Sequence, residues 1–216
     1  MTTIGIIGSG ALGSNVARAL AKAGIRATIS NSRGPTSLSA LIEETGPTIT
    51  AGTVEEAASA DVVLIALRWV DLKQVLSKLP AWNNRIIIDG TNPVEFLDSQ
   101  SPDANDSANP LAAYGIKAID LGNQYSSALV QDLVPGARVV KAFNHLGVEV
   151  LAEPQASGGQ RVQFYSGDDS AAKGEVRKIL ETAGYFPVDL GTLEVGGRLA
   201  SLPFGPLAAI NFIKIQ

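Results

Sequence analysis

Cysteine is absent from the 216 residues, and histidine occurs once, at His145. The first absence excludes disulfides, iron–sulfur clusters, thiolate nucleophiles and Cys-ligated zinc. The second excludes a multi-histidine metal site within one chain. Basic residues are not in excess: 17 Lys and Arg against 21 Asp and Glu leave a net charge of −4, the wrong sign for a general nucleic-acid-binding domain. No run approaches the ~20 apolar residues needed to cross a bilayer. The opening MTTIGIIGSG has neither the basic start nor the cleavage site of a secretory leader. The expectation is a soluble cytoplasmic protein with no membrane or nucleic-acid partner.

What is present suits a folded α/β protein. Apolar residues make up 45% and charged residues 18%, far from a disordered composition. At ~150 residues per domain the length suggests one domain and a small lobe. Ile4, Ile6 and Ile7 form a short apolar run of the buried-strand type. Leu12, Val16 and Leu20 then recur at helical spacing, with Gly24 at the C-cap position. The alternation continues through strands at 26–30, 48–51, 61–67 and 85–89. Thr53-Val54-Glu55-Glu56 has the form of a capping box. Later strands fall at 139–143, 162–165 and 186–190, with helices at 126–133 and 170–182. Residues 94–115 break the rhythm with Asp, Ser, Asn and Pro, and read as a long polar loop, either a disordered insertion or an active-site flap. The apolar tail from Leu199 reads as a buried face, with a homodimer contact as its cover.

Strands alternating with helices predict a doubly wound, mainly parallel sheet, whose ligands bind at the carboxyl ends of the strands. Residues 1–150 form the expected dinucleotide domain and residues 151–216 a small αβ extension. Gly8-Ser9-Gly10-Ala11-Leu12-Gly13 follows the first strand and opens a helix. Gly8 permits the tight turn, Gly10 lets the backbone approach a pyrophosphate, and Gly13 lets helix and strand pack closely. The helix start adds unpaired N–H donors and a positive dipole end. After the second strand stands Ser30-Asn31-Ser32-Arg33, and no acid occurs from Gly13 to Ile42. A site for NAD wants a carboxylate there; a 2′-phosphate wants a guanidinium with hydroxyl and amide donors. Arg33, with Asn31 and Ser32, therefore predicts NADP(H).

Other strand ends supply further candidates. Leu67 ends the fourth strand as a cofactor-side candidate, and Arg68 and Trp69 follow it, where they flank the nicotinamide ribose or close over the cofactor, unless Trp69 packs on the next helix. Asn92 and Pro93 follow the fifth. Lys141-Ala142-Phe143-Asn144-His145 closes the sixth, and His145 is the one side chain with an ordinary pKa near neutrality. It is either structural or an acceptor-side proton donor. No Ser-His-Asp set or paired carboxylates can be read. Hydride transfer needs neither, because the cofactor carries the chemistry; this fits a flavin-like acceptor better than a ketone.

Taken together, IGIIGSGALG, Ser32-Arg33, DGTNP at 89–93, VPGARVVKAFNHLG at 134–147 and YSGDD…AGYFPVDLG at 165–191 resemble the coenzyme F420-dependent NADP oxidoreductases. The resemblance implies a Rossmann-type fold and hydride exchange between NADPH and a deazaflavin. It places Gly8, Ser9, Gly10, Ala11, Leu12 and Gly13 on the pyrophosphate, and Asn31, Ser32 and Arg33 on the ribose phosphate. Asn92, Pro93, Phe143 and Asn144 come near the nicotinamide. Members of the wider superfamily also reduce flavins or ferric chelates. Two other functions remain at this stage: reduction of a small imine or carbonyl with His145 as proton donor, and a non-catalytic NADPH sensor.

Overall fold

The computed structural model describes residues 2–100 and 102–215. In β1 (Ile4–Ile7) all four residues are buried. Ile4 and Ile6 join one apolar cluster and Ile7 joins the other, so this strand is covered on both faces, as parallel strands are. α1 (Ala11–Lys22) turns Val16, Ala17 and Leu20 inward. Gly24 follows with φ +70°, the left-handed conformation that ends many helices. Next come β2 (Ala27–Ser30), α2 (Ser39–Thr45), β3 (Ile49–Ala51) and α3 (Val54–Ala58). The capping box is formed: Glu56 N donates to Thr53 Oγ1 at 3.2 Å, and Thr53 N donates to Glu56 Oε2 at 2.8 Å. β4 (Val62–Ile65), α4 (Leu72–Leu76) and β5 (Ile86–Asp89) continue the alternation.

Beyond β5 the chain makes an excursion through β6 (Val94–Phe96) and β7 (Ile116–Ala118) before α5 (Ser126–Leu133) and β8 (Arg138–Ala142). The final quarter contains β9 (Gln155–Ala156), β10 (Gly159–Gly167), α6 (Ser170–Thr182), β11 (Phe186–Asp189), α7 (Leu193–Ala200) and β12 (Ile213–Ile215). Asp169 caps α6, accepting from Ala172 N at 2.7 Å.

The main sheet runs β11-β10-β8-β5-β4-β1-β2-β3. From β3 to β8 every pairing is parallel. The chain leaves β1 toward β2 and later returns on its other side at β4. That reversal of direction marks where a doubly wound sheet opens a crevice at its carboxyl edge. The sheet is thus the doubly wound, mainly parallel Rossmann type with a C-terminal αβ extension. β10 runs antiparallel to β8, with Tyr165 opposite Ala142 and Gly167 opposite Val140. Residues 159–162 therefore continue past the carboxyl end of β8. There β9 and β12 pair with the projecting part.

One expectation needs correction. Much of the polar stretch at 94–115, within which residue 101 lies outside the described residues, is not a bare loop. β6 and β7 form an antiparallel hairpin, and single helical turns lie between them at Pro102–Asn105 and Ala112–Tyr114. Asp98, Asp106 and Asn109 each accept a backbone N–H two residues on. Their short polar side chains thus build the turns. On the single chain the tail from Leu199 leaves Phe204 and Ile215 each 72% exposed.

At the sheet's centre lies a fully buried ion pair. Lys141 Nζ in β8 donates to Asp89 Oδ2 at the end of β5 (2.9 Å) and to the Thr91 carbonyl (2.9 Å). Asp89 also accepts from Thr91 N, Thr91 Oγ1 and Ser127 Oγ, at 3.0, 2.7 and 2.7 Å. Burial pushes the Asp89 carboxyl up, but Lys141 and these bonds outweigh it and hold the group below the ordinary carboxylate value. Removing one partner leaves an uncompensated buried charge. Lys141→Met is expected to cost about 3–5 kcal/mol of unfolding free energy in urea, with most of it restored in Lys141→Met/Asp89→Asn; a loss under ~1 kcal/mol in the single variant would contradict this account.

Candidate cofactor site

The glycine turn lies at the carboxyl end of β1, over the point where the strand order reverses. Its three glycines have different causes. Gly8 has φ +109°, and a Cβ there would stand 2.3 Å from the Ala66 carbonyl oxygen. A Cβ on Gly13 would stand 1.9 Å from the Gly8 carbonyl oxygen. Both are demanded by the protein's own packing. Gly10 is not: its φ is −67°, and a Cβ there would meet nothing within 4 Å. The open space above it is the room a ligand phosphate needs. α1 begins at Gly10 with no side-chain cap and no acid in its first turn, so the N–H donors of that turn remain available to an anion. These residues fit a pyrophosphate.

Ala11 is exposed and Leu12 half-buried. Leu12 reaches across to the β5 end, where a Cβ on Gly90 would come within 2.9 Å of its Cδ2. Asn31, after β2, joins the turn to the next loop. Its Nδ2 donates to Ser9 Oγ (3.0 Å) and Ser37 Oγ (2.9 Å), and its Oδ1 accepts from Arg33 N (2.9 Å). Asn31 is thus occupied in shaping the loop. Ser32 and Arg33 are exposed, and no carboxylate pairs with the Arg33 guanidinium among the described residues. Arg33, Ser9, Ser14 and Ser37 line an open depression of about 260 Å³. A guanidinium beside hydroxyls is a donor set that fits a phosphate monoester.

The other strand ends are more committed. Leu67 is half-buried, and Arg68 bonds Asp71 at 2.8 Å on the surface. Trp69 packs partly buried against the apolar cluster that holds Ile7. Asn92 and Asn144 hold each other: Asn92 Nδ2 donates to the Asn144 carbonyl (2.7 Å), and Asn144 Nδ2 donates to Asn92 Oδ1 (3.2 Å). Both also anchor the tail, through Leu202 N on Asn92 Oδ1 (3.0 Å) and Asn144 Nδ2 on the Ala200 carbonyl (3.0 Å). Pro93 is buried beside them. Phe143 does not form a wall with its ring. The ring is buried edge-on against Tyr185, with centroids 5.9 Å apart, and the residue's φ of +65° turns it from the sheet edge into the core.

His145 as an acceptor-side proton donor is also corrected. The residue is fully buried, stacked near Phe164 with centroids 4.7 Å apart. Its Nδ1 lies 3.2 Å from Gln163 Nε2, and its Nε2 has no hydrogen-bond partner among the described residues. Burial pushes the imidazole down to about 4, so it is neutral at pH 7 and faces no opening.

Residues 3–93 match the sequence family described as "NADP oxidoreductase coenzyme F420-dependent". A crystal structure of the hypothetical protein SMa0349 from Sinorhizobium meliloti is 38% identical, with TM-score 0.86, covering 99% of this chain and 96% of that one. Residues 3–93 belong to the coenzyme F420-dependent NADP oxidoreductase family. The chain is thereby placed among NADP-dependent oxidoreductases. A structure from Arthrobacter sp. FB24, put forward as an F420-dependent NADP reductase, is 25% identical with TM-score 0.69, covering 90% of this chain and 86% of that one. Metalloreductase STEAP3 of Rattus norvegicus is 26% identical over 202 residues, 93% of this chain; the chain spans only 36% of that protein's length. No helix among the described residues is long and apolar enough to cross a membrane.

The sequence reading missed Lys141 and Asp89. The signal was there: a lysine within the apolar run VVKAF and an aspartate closing IIID are charges inside buried strands. It also missed Glu44, which the fold brings to the same depression as Arg33.

Two outcomes follow from this geometry. Gly10→Ala is expected to leave thermal stability within ~0.5 kcal/mol of wild type while weakening NADPH binding at least about tenfold, whereas Gly13→Ala unfolds the protein measurably. Calorimetry with and without NADPH separates the two effects; equal stability losses would refute the distinction. For His145, the folded value near 4 lies below the unfolded 6.5. The unfolded chain therefore binds more protons between these values. The histidine's contribution is complete above pH 6.5 and declines as pH falls toward 4, by roughly 3 kcal/mol. Denaturant titrations at pH 7 and 4.5 should show His145→Gln losing that share of the pH dependence.

Proposed function

We propose that the protein binds NADPH across the carboxyl edge of its sheet and passes hydride to a deazaflavin (coenzyme F420) or flavin-type ring. The carrying observation is the pairing of a phosphate-ready turn and loop with a nicotinamide side where His145 and Lys141, the titratable groups nearest β8's end among the described residues, are not free. His145 is enclosed, and Lys141 is locked to Asp89. Reduction of a carbonyl or imine calls for a positioned proton donor. A conjugated ring takes up hydride and draws its proton from water, so the protein has only to align the two reacting carbons.

In this reading the turn Gly8 to Gly13 holds the pyrophosphate, with Ser9, Ala11 and Leu12 shaping its sides. Arg33 and Ser32 bind the 2′-phosphate, and Asn31 fixes their loop. NADPH, when bound, supplies the hydride. Leu67 and Arg68 flank the nicotinamide ribose. Asn92 and Asn144, tied to the tail at Ala200 and Leu202, set the floor on the acceptor side, with Pro93 and the Phe143 backbone beneath. The cofactor domain spans residues 1–150, and residues 151–216 face the acceptor.

The test is a panel of acceptors followed at the nicotinamide absorbance band: deazaflavin, FMN, FAD, a ferric chelate, and small imines and ketones. Turnover with the deazaflavin or a flavin is expected. Turnover confined to imines or ketones would overturn the acceptor class, and tight NADPH binding with no turnover on any acceptor would make the protein a sensor. Similarity to a metalloreductase makes the ferric chelate an informative arm.

A further inference from the structure

From Gly13 to Ile42 the sequence is free of acids, yet the fold brings one back to the adenosine corner. Glu44, near the end of α2, lines the same depression as Arg33, Ser9 and Ser37. A bare carboxylate there would oppose the dianion of a 2′-phosphate and would instead suit a ribose hydroxyl. It is not bare. Arg18, on α1, grips it in a two-pronged pair: Nε to Oε1 at 2.7 Å and Nη2 to Oε2 at 2.8 Å. Arg18 Nη1 is in turn held by Asn15 Oδ1 at 2.9 Å. Arg18 also lines the depression. The site therefore contains two guanidiniums and one carboxylate, of which only the Arg33 guanidinium lacks a carboxylate partner among the described residues. Both members of the Arg18–Glu44 pair are partly exposed, at 32% and 51%. An exposed pair contributes little to stability, so a bidentate pair on the rim of a ligand site calls for another explanation.

We infer that the Arg18–Glu44 pair sets the preference between NADPH and NADH. Arg18 masks a carboxylate that would repel the 2′-phosphate, and Glu44 keeps Arg18 from acting as a second clamp. The inference rests on the NADP site proposed above. Neither residue touches the reacting atoms; they act through the field at the ribose corner.

The experiment measures dissociation constants of NADPH and NADH by titration for wild type, Arg18→Gln, Glu44→Gln, the double variant and Arg33→Asp, each checked by thermal unfolding. A unit charge several ångströms from a phosphate dianion is expected to alter affinity by about tenfold. Arg18→Gln should weaken NADPH by about that factor and leave NADH within about twofold. Glu44→Gln should tighten NADPH several-fold with NADH unchanged, and the double variant should return close to wild type. Equal shifts for both cofactors, or none, in Arg18→Gln and Glu44→Gln would overturn the inference. Arg33→Asp separates the two levels. If it collapses the NADPH preference while the pair variants do not, only this inference falls. If it leaves the preference intact, the placement of the 2′-phosphate falls too.

Discussion

A single ammonium, enclosed between two strands, organises the β5–β8 side of the sheet's carboxyl edge. Lys141 ties β8 to the end of β5 through Asp89 and to the following turn through the Thr91 carbonyl. That turn leads into Asn92, which clasps Asn144 and receives Leu202 N from the tail. A charge held in the interior thus fixes a loop, the loop fixes an amide pair, and the amide pair fixes the start of the turn-rich tail. The cost of burying a charge makes the arrangement strict, since any displacement of Lys141 leaves Asp89 unsolvated.

The phosphate side is built on a different principle. There the fold leaves donors unused: the first turn of α1 lacks a side-chain cap, and the Arg33 guanidinium reaches into an open depression. One half is satisfied internally; the other presents an uncapped helix start and an exposed guanidinium, a donor set that suits an anion. Asn31 joins turn and loop, so the spacing between the two phosphate-binding parts is set by the protein.

Much of this was legible in the residues. The alternation of IGII, VVLI and IIID with helical stripes specifies parallel strands covered on both faces, and Thr53 and Asp169 announce their helices by local chemistry. Gly8 and Gly13 marked the turn because backbone geometry and close packing restrict what can stand there, and Gly10 because a ligand needs the space above it. Side-chain direction was hidden. Phe143 and His145 follow β8 in sequence, but one adopts positive φ and the other lies under the tail, so neither ring faces the opening. Such choices depend on Tyr185, Gln163 and Phe164, which meet them only after the chain has folded back. The Asp- and Asn-rich 94–115 stretch misled for a related reason: the same residues that signal a loop also build tight turns inside a hairpin.

The length of β10 carries a further consequence. Only part of this nine-residue strand pairs with β8; the remainder extends beyond the sheet's edge and holds β12 by backbone bonds, with Phe212 O receiving Val162 N at 2.9 Å. A partition hung on main-chain bonds places few demands on the identity of its side chains. Its side chains can therefore be exchanged without loss of the strand pairing, and such changes leave the parallel half of the sheet, from β3 to β8, undisturbed.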